Sequence, residues 1–429
     1  MLAQRTARWL QRRELHFSWV VMAVAFMTML SSSAALGLPG VFMQPLVREM
    51  GWGTDQISSA LAVRFLLYGL MGPFAALLME RYGLRRIVCS AMVLIALALL
   101  LSTRMTALWQ LMALWGVMLG VSSGMTALVL AATVANRWFS KRRGLVLGVL
   151  TASNATGQLI FLPLAARLIE LLGWRMAIMP AFCMCLFTAV LAFAFMRDHP
   201  QDVGLNVYGV DPQEQQPVHT WRPDFWEPLR QLAQASQSGT FWVLFGTFFI
   251  CGLSTSGLVQ THFVSLCGDY GLAAVPAASV LAMMGAFDFV GTIASGWLSD
   301  RFDNRKLLFW YYGLRGLSLL WLPHADFTIY GLSLFAMFYG LDWIATVPPT
   351  VKLVGASFDR QRSPMIFGWI FAGHQLGSAC AAYGAGLSRS VLLSYEPALY
   401  IAGAACLVAA LGIFLVRRPA AAEVRVAAS

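Results

Sequence analysis

Apolar residues run along the chain in long blocks, separated by short clusters of charge, glycine and proline. Blocks of this length exceed a β-strand and match the roughly 20 residues a helix needs to cross a bilayer. Twelve are expected, over about 17–38, 54–79, 87–103, 107–134, 144–166, 174–196, 240–266, 274–299, 307–322, 327–351, 364–387 and 397–416. The one long polar stretch, 197–238, holds Pro200, Pro212, Pro217, Pro223 and Pro228 with many glutamines and reads as a linker. Within it, the segment from Arg222 to Ala235 can form a short helix on the membrane surface, anchored by Trp221, Phe225 and Trp226. The expected organisation is a six-helix bundle over 1–196, a cytoplasmic linker over 197–238 and a second bundle with a cytoplasmic tail over 239–429. The fold class is an all-α integral membrane protein.

Composition narrows the function. Of 429 residues 59% are hydrophobic and 12% charged, against about 25% charged in a soluble domain. A soluble enzyme, a nucleic-acid-binding domain and a secreted module are all excluded on that balance. The net charge of +10 would suit nucleic acid, but its placement answers to lipid instead. With the N-terminus cytoplasmic, 23 of the 30 Lys and Arg fall in inside segments and 5 outside, as the positive-inside rule requires. Both termini are therefore expected in the cytoplasm of a multi-pass inner-membrane protein. The seven cysteines lie mostly in apolar blocks without CxxC spacing, so they read as small buried hydrophobes. Trp19, Trp52, Trp138, Trp174, Trp242 and Trp321 near span ends suggest an interfacial belt. Gly116, Gly120 and Gly124 mark close helix packing, and Pro348-Pro349 should bend or end the tenth span.

The second half repeats the first at a constant offset of 220 residues. Gly37 maps to Gly257, Glu49 to Asp269, Gly51 to Gly271, Glu80-Arg81 to Asp300-Arg301, Arg85-Arg86 to Arg305-Lys306 and Gly157 to Gly377. Because 220 residues contain six spans, the repeats are parallel, an architecture of secondary transporters with the solute site between the halves.

The loop after the second span reads Ala76-Leu-Leu-Met-Glu80-Arg81-Tyr-Gly83-Leu-Arg85-Arg86, and its repeat reads Gly296-Trp-Leu-Ser-Asp300-Arg301-Phe-Asp-Asn-Arg305-Lys306. Both copies resemble the G-x-x-x-D-R-x-G-R-R/K motif of the major facilitator superfamily, with Ala76, Glu80 and Asp303 as departures. The resemblance covers essentially the whole chain. It implies that these acids and arginines latch helix ends in an outward-open state; the alternative is charges that only set topology. Three further stretches resemble bacterial monocarboxylate and oxalate/formate-type carriers: Arg137-Trp-Phe-Ser-Lys-Arg-Arg-Gly144, Gly173-Trp174-Arg175 and the run His199 to Gly209. Asp288 fits an Asp of the monocarboxylate carriers, but Thr292 stands where they have an Arg, and His374 where oxalate carriers have a Lys.

Ionisable residues at membrane depth are costly and default to functional hypotheses. At 1.5 Å per residue, Asp288 lies about 18 Å in from Asp300, Arg315 about 14 Å from Lys306 and Asp342 about 15 Å from Lys352. Three adjacent helices thus hold two acids and one base in one layer, and Arg315 is expected to pair with Asp342, Asp288 or both. Such a network serves proton coupling, or it simply holds helices together. Arg64, about 24 Å from Glu80, either faces a water-filled cavity and binds a carboxylate in fork geometry or bonds to backbone carbonyls. His374, Asn154 and Gln158 are candidate substrate contacts, each with helix-to-helix bonding as the plainer alternative.

The leading expectation is a monomeric secondary carrier of a small organic anion, moved with protons. A drug/proton antiporter is the alternative, weakened by the absence of a G-P-x-x-G-G run on the fifth span and of an acid in the first. Nucleotide loops, zinc-protease motifs and nucleophile elbows are missing, so neither an enzyme nor a bound cofactor or metal is expected.

Overall fold

A computed structural model describes residues 2–210, 224–299, 301–358 and 363–416; the side chains of residues 2, 143–145, 147, 154, 155, 158, 159 and 364 lie outside it. Twelve long helices follow one another: α1 (Ser18–Met50), α2 (Thr54–Tyr82), α3 (Leu84–Ser102), α4 (Leu108–Trp138), α5 (Arg143–Leu172), α6 (Trp174–Phe195), α7 (Gly239–Asp269), α8 (Ala274–Ser299), α9 (Asn304–Trp321), α10 (Ile329–Ser357), α11 (Ser363–Leu392) and α12 (Glu396–Leu415). Among the described residues, nine of them are long and apolar enough to cross a membrane, and α5, α9 and α11 complete the set. Two surface helices flank the bundle, Leu2–Gln11 at the N-terminus and Glu227–Ala235 in the linker.

Helix α1 runs twelve residues past its expected end at 38. Gly37, Pro39 and Gly40 read as a stop in the sequence, yet Pro39 and Pro45 lie inside the helix. Neighbouring helices tolerate such breakers by satisfying the backbone from outside, and the Arg64 guanidinium donates to the Leu36 carbonyl in that turn (3.0 Å). The glycine stripe does what its spacing implied. A Cβ on Gly116, Gly120 or Gly124 would press on Ala60, Arg64 or Tyr68 of α2, so α4 lies almost on that backbone. Two of the belt tryptophans are instead buried. Trp138 packs near Phe17, and Trp174 donates its indole N–H to Glu49 (2.5 Å). Trp174 gains the Glu49 carboxylate, whereas the Trp138 indole N–H is buried without a hydrogen-bond partner and the ring is held by packing alone.

Within the first six helices α1 packs on α5 and α3 on α6; within the last six, α7 on α11 and α9 on α12. The two sets meet along α2 against α11 and α5 against α8. On the side opposite the termini the seam is tight. A Cβ on Gly40 of α1 would lie 2.6 Å from the Gln260 carbonyl of α7, and one on Gly386 of α11 would meet Ser58 of α2. Ser390 donates to Asp55 (2.9 Å) and receives the Asp55 backbone N–H (3.2 Å), tying the far ends of α11 and α2. The termini-side segments Leu128–Trp138 and Val347–Ser357 pack on helices of their own six.

This asymmetry makes a prediction. In an Asp55→Cys/Ser390→Cys protein a short, reducible thiol crosslinker should bridge the pair. Solute uptake should then drop more than about tenfold, through loss of the two-state motion, and return on reduction. Uptake unaffected by complete crosslinking would mean that this end stays shut throughout the cycle.

Candidate functional site

Helices α4 and α10 are both broken, at positions related by the 220-residue offset. Helix α4 turns at residues 125–127 and α10 at 343–346, just ahead of Pro348-Pro349. The prolines thus bend α10 as expected; the α4 break has no proline to announce it. Each break is pinned through a repeat-related threonine. Thr126 donates to Ser32 of α1 (3.0 Å), and Thr346 shares a hydrogen bond with Cys251 of α7 (3.3 Å). Paired broken helices at corresponding positions are where transporters of this architecture bind their cargo.

Opening a helix strands carbonyls on one side of the break and N–H groups on the other. At α10 the buried charges take up both. Arg315 of α9 donates through Nε to Asp342 Oδ2 (2.7 Å) and through Nη2 to the carbonyls of Asp342 (2.5 Å) and Trp343 (3.2 Å). A cation thereby caps the C-terminal end of the first α10 segment, where the helix dipole favours it. Asp288 of α8 accepts the Ile344 N–H (2.9 Å) and the Thr292 hydroxyl (3.0 Å). Of the two pairings expected for Arg315, the structure makes the one with Asp342; Asp288 holds the backbone instead. Thr292, standing where related carriers have an arginine, serves that same carboxylate.

The Arg315 Nη1 points 3.0 Å from the Cys251 sulfur, and Asp342 Oδ1 is buried without a hydrogen-bond partner. Cys251 lies two residues before a widened π-helical stretch of α7, Leu253–Gln260, a distortion common at functional sites. His374 of α11 stacks on Phe371 (5.7 Å between rings) and lies 5.1 Å from the Phe248 ring of α7. Phe371 in turn meets Tyr68 of α2 edge-on. A continuous polar and aromatic track therefore joins the α2–α11 seam to the Arg315–Asp342 pair. Cys251, its middle member, escaped the sequence reading because a lone cysteine in an apolar block carries no signal of its own.

Arg64 is 2% exposed. Its Nη1 reaches only the Leu36 carbonyl, its Nε is buried without a partner, and no ion pair to it exists among the described residues. Of the alternatives raised for it, the bond to a backbone carbonyl is the one the structure makes; the guanidinium also lies over the Phe65 ring (4.7 Å). Asn154 and Gln158 fall among the side chains outside the described set.

The motif loops sit at the termini side. Glu80 pairs with Arg137 of α4, inside its own six-helix set. Gly83 adopts φ +90°, and a Cβ there would collide with Asp198, whose carboxylate accepts the Arg85 N–H (2.9 Å) and so caps α3. The Arg85 guanidinium lies over Phe193, while Arg81 and Arg86 are exposed. In the second copy Asp300 is outside the described residues. Arg301 lies over Trp297 (3.9 Å), Arg305 pairs with Asp303 and donates to the Val416 carbonyl (3.2 Å), and Lys306 is exposed. On the opposite side the repeat-related acids Glu49 and Asp269 each hold an arginine, Arg175 and Arg389, from different parts of the repeat.

Twelve apolar helices in two sixes, paired broken helices and ionisable groups held at depth define a multi-pass membrane transporter, not an enzyme. The chain belongs to the Major Facilitator Superfamily, whose family model matches residues 21–351. Monocarboxylate transporter 13 of Rattus norvegicus is 26% identical over 90% of this chain and 86% of its own. The Fujikurins efflux protein of Gibberella fujikuroi is 25% identical over 71% and 62%. The crystal structure of a D-xylose-proton symporter superposes with a TM-score of 0.72 at 13% identity, covering 94% of this chain and 98% of that one.

Proposed function

We propose that this protein carries a small organic anion of monocarboxylate type together with protons, by alternating access between the halves 1–196 and 239–429. The carrying observation is Arg64. A buried guanidinium with an unpartnered Nε and no carboxylate among the described residues is expensive to leave alone, and an anionic solute offsets that cost by neutralising it. The Asp288–Arg315–Asp342 layer, with His374 beside it, supplies groups that exchange protons as the α10 break rearranges. Similarity to a relative named as a monocarboxylate transporter supports the solute class, and the 23-to-5 split of basic residues supports cytoplasmic termini in an inner membrane. The carrier works as a monomer.

The test is proton movement into liposomes containing the protein and loaded with a pH dye. Protein-dependent acidification on adding one small carboxylate is the expected result. Silence towards every acid, with alkalinisation on adding lipophilic cations, would overturn the anion reading in favour of drug/proton antiport.

A further inference from the structure

The N-terminal helix Leu2–Gln11 is two-faced. Ala3, Ala7 and Leu10 are buried against α6 and the turn Pro200–Val203, while Arg5, Arg8, Arg12 and Arg13 are exposed. Beside this helix a groove of about 430 Å³ opens between α1 and α6, lined by Leu10, Trp19, Ala23, Met27, Leu191 and Phe195 among others. His16 is the one ionisable group in its wall; its Nδ1 hydrogen-bonds Ser18. From His16 to Met27 the groove runs about 16 Å along α1, starting at the membrane surface on the side of the termini. Exposed Arg12 and Arg13 lie in the chain between Leu10 and Leu15, both of which line the groove, and Arg13 is stacked on Trp9 (4.4 Å). Glu14 is the nearby exposed acid; Asp198 and Asp202 are occupied by backbone N–H groups.

We infer that this groove is a binding site for an anionic glycerophospholipid of the leaflet that carries the termini. One acyl chain lies along α1 and α6, and the phosphate sits at Arg12 and Arg13. An almost wholly apolar wall inside the hydrocarbon layer offers a polar solute nothing to bond and suits a lipid tail. A cluster of arginines at headgroup level then selects charge, since basic residues near the surface attract anionic headgroups. Two signals together, an apolar slot and a basic mouth, hold a lipid where either alone holds it weakly. The N-terminal helix thus serves as a lipid-gripping collar on α1 and α6.

Native mass spectrometry of the full-length protein in neutral detergent tests this, with phosphatidylglycerol and phosphatidylcholine of matched chains. The first lipid bound should be phosphatidylglycerol by at least about fivefold. In Arg12→Gln/Arg13→Gln the preference should fall below about twofold with phosphatidylcholine binding unchanged. Ala23→Trp, which fills the slot, should lower the binding of both. Equal binding of the two lipids by the unmodified protein, or a preference that survives loss of both arginines, overturns the inference. Should Ala23→Trp fail to fold, the arginine substitutions, both on the surface, still decide it.

Discussion

Replacing Arg315 by methionine is expected to destabilise the protein by about 3–5 kcal/mol, the usual result of removing one partner of a buried ion pair. Its guanidinium is 1% exposed and serves three acceptors at the α10 break besides touching Cys251. The substitution leaves the Asp342 carboxylate without its cation and the carbonyls of Asp342 and Trp343 without a donor. At roughly 2–4 °C per kcal/mol for a large domain, thermal unfolding in detergent should shift down by about 6–20 °C. Arg315→Met/Asp342→Leu separates the contributions. Removing both charges should restore part of the loss, since an apolar pair often replaces a buried ion pair without penalty. Recovery should remain incomplete, because two helix-end carbonyls stay unsatisfied at about 1–3 kcal/mol each. Full recovery would mean that the arginine serves the carboxylate alone; no loss in Arg315→Met would mean that the break needs no cap.

Arg64→Gln is expected to abolish anion transport, by at least about a hundredfold, while leaving the protein folded. An interaction with a fully desolvated charge is commonly worth about 2–5 kcal/mol, enough for that factor at 1.4 kcal/mol per decade. Glutamine removes the charge and, two bonds shorter than the arginine fork, also gives up the bond that Nη1 makes to the Leu36 carbonyl. Arg64→Lys keeps the charge but loses the planar fork, and should recover only part of the activity. Initial uptake rates of the carboxylate that moves protons supply the measurement, with size-exclusion behaviour as the check on folding. If Arg64→Gln transports normally, the residue is a strut between α1 and α2 and the anion reading loses its main support.

Arg64 also shows where sequence reasoning stopped. Its place in the membrane follows from counting residues, but whether its charge met a carbonyl, a carboxylate or water depends on α1 remaining helical through Pro39. Local rules put the helix end at 38, and the fold carries it on to Met50, packed chiefly against α5 and α6. The α4 break is a second case. Ser123-Gly124-Met125-Thr126 holds no helix breaker of proline strength, and only the bond from Thr126 to Ser32 and the close approach to α2 account for it.

What the sequence determined by itself was the number of long helices and the parallel repeat. Those follow from the thickness of a bilayer, the 1.5 Å rise of a helix and a constant offset, all properties of one dimension. The tertiary structure alone decided which groups meet. It set Asp342, not Asp288, against Arg315, turned Asp288 to the Ile344 backbone, brought Cys251 to the guanidinium and buried Trp138 and Trp174. Partner choice inside a membrane depends on which helix faces are turned together and which backbone groups a break leaves stranded, and neither quantity is written in the order of residues along a single helix.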